Sequence, residues 1–173
     1  MSTLAPHPPV TLSLPVVIRE CREGDLEALE WFGMFTAHRQ LIREAWERHV
    51  AGENVMLVAE ANRFPIGQAW IDLARHADES AGLLWAVRVF PVFQGLGIGA
   101  RLLDAAEDAL AARGFRWALI GVEKHNEGAH RLYLRQGYEP WGELRESYAY
   151  TPPGSDTPVE VPLDEWLLRK QVG

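Results

Sequence analysis

Val89-Phe90-Pro91-Val92-Phe93-Gln94-Gly95-Leu96-Gly97-Ile98-Gly99-Ala100 leads from an apolar, strand-forming segment through three alternating glycines into residues with helical spacing. A strand-to-helix junction of this kind binds anions. The first helical turn leaves amides without acceptors, the helix dipole favours negative charge, and glycine lets a phosphate approach the main chain with no side chain between. Each helix-end contact contributes about 0.3–1 kcal/mol when exposed and up to about 2 kcal/mol when partly buried, so several amides together can hold a diphosphate.

Working outward from the loop, the spacing predicts a helix from about Ala100 to Arg113, with Leu102, Leu103, Ala106 and Leu110 inward and Gly114 as its stop. Phe115 to Val122 reads as a buried strand. Asn126 then caps a helix running to Gln136 and stopping at Gly137. Two last strands are expected at Leu144 to Tyr150 and Trp166 to Val172, joined by a loop holding Pro152, Pro153, Gly154 and Pro158. On the N-terminal side, Val55 to Ala61, Ile66 to Leu73 and Leu83 to Val89 are apolar strand formers, and the turn-like Asn62 to Pro65 makes the first two a hairpin. Before them come a short strand, Val16 to Glu20, and a helix capped by Asp25 with Leu26, Leu29 and Phe32. A second helix, with Ile42, Ala45, Trp46 and Val50 on one face, stops at Gly52. The prolines at 6, 8, 9 and 15 make residues 1–15 a flexible tail, leaving residues 16–173 as one domain.

Composition narrows the function classes. The 173 residues are 47% hydrophobic and 24% charged, as in an ordinary globular domain. No apolar run approaches the roughly 20 residues of a membrane-spanning helix. The formal charge of -7 works against attraction to nucleic acid or anionic lipid and suits a cationic small molecule or peptide. A single cysteine, Cys21, and the absence of a basic secretory leader fit a cytoplasmic protein. The six histidines show no pairing suited to zinc, so no metal is expected.

Gly95 to Ala100 also satisfies the dinucleotide pattern G-x-G-x-x-G/A. In a nicotinamide-binding unit, however, that turn follows the first strand, and an acidic residue stands about 20 positions on. Here the loop follows an antiparallel meander, and Arg116 to Gly121 contains no acid. A P-loop needs a Lys-Ser/Thr pair after the last glycine, which this chain lacks.

Gln94-x-x-Gly97-x-Gly99 resembles the Q/R-x-x-G-x-G/A signature with which the GNAT superfamily of N-acetyltransferases binds the diphosphate of coenzyme A. Val89-x-Pro91 precedes it, and Asn126-x-x-Ala129-x-x-Leu132-Tyr133-x-x-x-Gly137-Tyr138 is similar to that family's next helix and following strand. The resemblance implies an α/β (α+β) fold with a mixed, mostly antiparallel central sheet flanked by helices. It implies acetyl-CoA as co-substrate, held by Val87, Val89, Gln94, Gly95, Leu96, Gly97, Ile98, Gly99, Ala100, Asn126 and Tyr133. Transfer would be to a primary amine by direct attack. Tyr133 is implied as the acid or hydrogen-bond donor to the departing thiolate.

Glu123, at the end of its strand on the same alternating face as Gly121, is the candidate base that deprotonates the amine. Some relatives carry a carboxylate where Gly121 stands. The acceptor pocket is expected from the first two helices and the last hairpin, with Trp31, Phe35, His38 and Tyr148 supplying aromatic walls. A homodimer is a further implication of the resemblance. A non-catalytic acyl-CoA-binding or sensing module is the alternative function, separable by thiol release in the presence of amines.

Overall fold

The computed structural model describes residues 8 and 10–173, so most of the expected tail lies outside the described residues; Val10 to Pro15 carry no helix or strand and are exposed. The strands are β1 (Val17–Glu20), β2 (Asn54–Ala61), β3 (Phe64–His76), β4 (Ala81–Val89), β5 (Trp117–Glu123), β6 (Glu139–Tyr150) and β7 (Val159–Gln171). Three α-helices stand among the described residues: α1 (Arg39–Val50), α2 (Ile98–Ala111) and α3 (Glu127–Arg135). One seven-stranded sheet runs in the order β1-β2-β3-β4-β5-β7-β6. Every neighbouring pair is antiparallel except β4 with β5. That parallel pair needs a crossover, and α2 supplies it.

Both faces of the sheet centre are covered, which explains why β2 reads as an unbroken apolar run. Val55, Leu57, Ala59 and Ala61 point to one side, where they share a core with Ile98, Leu102, Leu103, Ala106 and Leu110 of α2. Met56 and Val58 point to the other, against Ile42 and Ala45 of α1, Leu29, Cys21 and Trp70. A buried leucine contributes about 1.5–3 kcal/mol, so the inward stripe of α2 fixes the helix firmly beneath the glycine loop.

The expected helix after Asp25 does not form. Two 3₁₀ turns, Glu23–Asp25 and Ala28–Glu30, take its place, and Trp31 and Phe32 adopt left-handed backbone with φ of 45° and 56°. Two sets of contacts decide this, one local and one distant. The Asp25 carboxylate accepts from Arg22 N at 2.7 Å and pairs with Arg19, while the Trp31 indole donates to Pro65 O at 2.9 Å inside the core. Leu29 is buried and Phe32 is 84% exposed, so the apolar spacing did not mark one face. The last two strands are longer than expected, by five residues at the start of β6 and seven at the start of β7. Their mutual pairing, Tyr150↔Val159 through Glu139↔Arg169, carries polar residues into strand that alternation alone assigned to loop.

Candidate active site

β4 and β5 pair only from Ala81↔Trp117 to Leu84↔Ile120 and then separate, although β4 continues to Val89 and β5 to Glu123. A bulge in β4 accompanies the separation. Opposite it, β3 advances from Gln68 to Trp70 while β4 advances from Arg88 back to Trp85, so Ala86 and Val87 have no register partner on β3 or β5. Ala86 takes the left-handed region at φ 50°, and its carbonyl accepts from Gln68 Nε2 at 3.2 Å. Bulges bend a strand and strengthen its local twist, and this one turns β4 away from its parallel neighbour.

The glycine loop lies at the far end of β4. Gly95 and Gly97 have φ of +77° and +79°, and a Cβ at either would meet open space, so conformation and not crowding requires glycine there. Gly97 is the N-cap of α2. Helical bonding begins with Arg101 N to Gly97 O at 3.2 Å, leaving the amides of Ile98, Gly99 and Ala100 without a helical acceptor. Three donors at a helix N-terminus, next to an unpaired strand edge, suit a diphosphate followed by an extended arm. Ile98 buries its side chain beneath the loop and so can offer only main chain to such a ligand, while the Leu96 side chain is exposed. The Gln94 side chain turns inward and donates to Val89 O at 3.0 Å, a staple across the loop. The half-buried side chains of Val87 and Val89 pack against the core shared with α2.

Between the separated strands lies a cavity of about 300 Å³. Tyr133 forms part of its wall, 5% exposed, and its hydroxyl has no hydrogen-bond partner among the described residues. Burial, with a smaller contribution from the charge of Glu165, pushes its phenol up to about 12. Asn126 also lines the cavity while capping α3, its Oδ1 accepting from Ala129 N at 3.1 Å. Glu123 stands at the mouth, nearly half exposed, paired with His125 Nε2 at 2.9 Å.

The space over Gly121 is taken by a neighbour: a Cβ built there would lie 2.0 Å from Oε2 of Glu165 on β7. A carboxylate thus reaches that spot from the adjacent strand. Glu165 sits directly opposite Glu123 in the β5–β7 register. Burial, followed by the charges of Glu123 and Glu146, raises its carboxyl above the ordinary carboxylate range.

A second cavity, of about 390 Å³, adjoins the first and shares Trp85, Ala86, Arg88, Gly121, Glu123 and Glu165 with it. His38 and Tyr148, two of the residues expected around an acceptor, both line it. His38 lies 4.3 Å from the Tyr150 ring and 6.3 Å from Tyr148 between centroids, and its imidazole is held below its ordinary value by burial and by Arg88. Phe35 stands behind this wall, with the Arg88 guanidinium 4.2 Å over its ring. Trp31 does not reach the cavity. It is 2% exposed, edge-on to Phe35 and Phe90, and its buried N–H needs the carbonyl of Pro65.

Residues 22–138 match the Acetyltransferase (GNAT) family. The chain belongs to that family. An uncharacterized N-acetyltransferase of Bacillus subtilis, YhfO, is 29% identical over 134 residues, covering 70% of this chain and 89% of that protein. The mycothiol acetyltransferase of Actinosynnema mirum is 35% identical over 109 residues, covering 63% of this chain but only 35% of the relative. Among solved structures, that of yncA from Salmonella typhimurium with its cofactor acetyl-CoA superposes with a TM-score of 0.68 at 20% identity, over 91% of this chain and 94% of that one. At that identity the likeness is one of fold.

Within this GNAT domain the structure gathers Val87, Val89, Glu123, Asn126 and Tyr133 around the split and sets the glycine loop at its end. Sequence reading missed Glu165 and Arg88. A signal for the first existed: Val161, Leu163, Glu165 and Leu167 alternate on the inward side of β7, so the one acid among them faces the sheet interior. Reading the last strand as starting at Trp166 hid it. No sequence signal marked the bulge at Ala86. No helix among the described residues is long and apolar enough to cross a membrane, and none of their acidic, histidine or cysteine clusters could hold a metal ion.

Proposed function

We propose that this chain is an acetyl-CoA-dependent N-acetyltransferase in which a primary amine attacks the thioester directly. What carries the reading is the opening between β4 and β5, with free amides of Ile98 to Ala100 at one end and Tyr133 and Glu165 beside its inner part. Acetyl-CoA supplies the activated acyl group. The loop amides hold its diphosphate, and because that group is unchanged in the reaction they contribute uniform binding and not rate. The backbone of Ala86 and Val87, free of register partners, is where the chain can meet the extended arm and the thioester oxygen.

Glu165 accepts the proton of the attacking amine. A lysine-like amine near 10.4 costs about 4.6 kcal/mol to deprotonate at neutral pH, and a carboxylate raised by burial is a better base than an exposed one. Glu123, directly opposite, keeps Glu165 raised by like charge. As the C–N bond forms and the C–S bond breaks, Tyr133 donates a hydrogen bond to the sulfur. A phenol near 12 facing a thiol near 8.5 makes complete proton transfer uphill by about 5 kcal/mol, so stabilisation of the thiolate is the role the environment favours.

The test combines calorimetry with acetyl-CoA and release of free thiol across a panel of amines. Binding with amine-dependent thiol release is the expected result. Binding with release at background would leave an acyl-CoA-sensing module, and no binding at millimolar acetyl-CoA would end the reading altogether.

A further inference from the structure

The larger cavity holds several charged groups, and most of them are neutralised by each other. Arg48 pairs with Asp72 at 3.0 Å and Arg75 pairs with Glu146, while Glu123 stands at the solvent-exposed mouth with the His125 imidazole 2.9 Å away. Two are left over. Arg88, half-buried on β4, lies against Phe35 and has no carboxylate within 4.0 Å and no hydrogen bond among the described residues. Glu165, half-buried on β7, has neither an ion pair nor a hydrogen bond among the same residues. Beside Arg88, the Nδ1 atom of His38 is buried with no hydrogen-bond partner.

Withdrawing a charge from water without a partner is costly, and a planar guanidinium presents a fork of donors matched to a carboxylate. One unmatched cation and one unmatched anion in a single chamber describe the complement of a zwitterion. We infer that the acceptor is a small amine that also carries a carboxylate, its carboxylate held by Arg88 and its amine directed to Glu165. A chamber of about 390 Å³ suits a molecule of amino-acid size. Phe35 packs against the Arg88 guanidinium, and Tyr148 lines the same chamber. This inference rests on the transferase reading for the place of the amine, while the anion site at Arg88 can be measured without turnover.

The experiment is calorimetry on the CoA-saturated protein with matched probes: free amino acids, their α-amides and the corresponding decarboxylated amines. Thiol release is followed with the same probes and acetyl-CoA. At least one acid should bind about 10- to 100-fold more tightly than its amide and amine, the range of a charge-assisted bond. Arg88→Gln should remove that preference without changing affinity for the amide, and Arg88→Lys should restore part of it, with thermal melting confirming that both variants fold. Amides and amines binding as well as acids, with acetyl transfer intact, would overturn the carboxylate site and leave the transferase standing. An Arg88-dependent preference with no thiol release from any probe would instead support the anion site and count against the transferase. Failure of every probe to bind would sink the inference.

Discussion

At the α2 end of the split, the groups free to bind are main-chain amides of three consecutive residues, Ile98 to Ala100. The adjoining chamber is walled by side chains from β3, β4, β5, β6, β7, α1 and the turn before it. The first arrangement depends on backbone angles, so almost any side chain can stand at Leu96 or Ala100 provided Gly95 and Gly97 keep positive φ. The second depends on which side chains the sheet brings together, and a single substitution can change its chemistry. On the proposed function, a binding end built of main chain and a reacting end built of side chains separate cleanly in kinetics.

The strongest attempt to break that separation is Glu165→Gln. Removing the proposed base should lower kcat by about 10²- to 10⁴-fold while acetyl-CoA affinity by calorimetry stays within twofold. An equal loss in affinity would show that the two ends are not independent. Tyr133→Phe should lower kcat by about 10- to 100-fold, the worth of a hydrogen bond to a developing thiolate, again with acetyl-CoA affinity preserved. A loss at the upper end of the range for Glu165 would mean that Tyr133 transfers its proton outright.

Gly97→Ala probes the other end. Forcing a Cβ into left-handed backbone costs roughly 1–2 kcal/mol, so the Kd for acetyl-CoA should rise about 5- to 30-fold, with kcat at saturation little changed. The mildest case concerns pH. Glu165 must be ionised to act, so kcat/KM falls as pH drops through its raised value. Glu123→Gln removes one of the charges that raise it, and the acid limb of the profile should move to lower pH. A limb that stays in place would assign it to another group.

Legibility of the fold followed the range over which its determinants act. The loop, α2 with its inward leucines, α3 with its Asn126 cap and the β2–β3 hairpin all appear where their local signals put them. The segment after Asp25 shows the opposite case. Its apolar spacing suggested a helix, but Trp31 needed the carbonyl of Pro65 for its buried N–H, and that contact joins residues far apart in the chain. Tertiary contact overrode a weak propensity. The candidate site divides the same way. Tyr133, Asn126 and the loop sat in contiguous motifs, whereas Glu165 entered the site by leaning across a strand into space vacated by Gly121.

The sequence alone determined the glycine loop at the start of α2 and the order of elements, because φ preferences, caps and apolar periodicity are properties of neighbouring residues and need no distant partner. Only the folded sheet decided which acid stands over Gly121 in the split and which cation is left unmatched. Those outcomes depend on register between strands, on a bulge at Ala86 that parts β4 from β5, and on burial, each of which exists only after the chain has closed on itself.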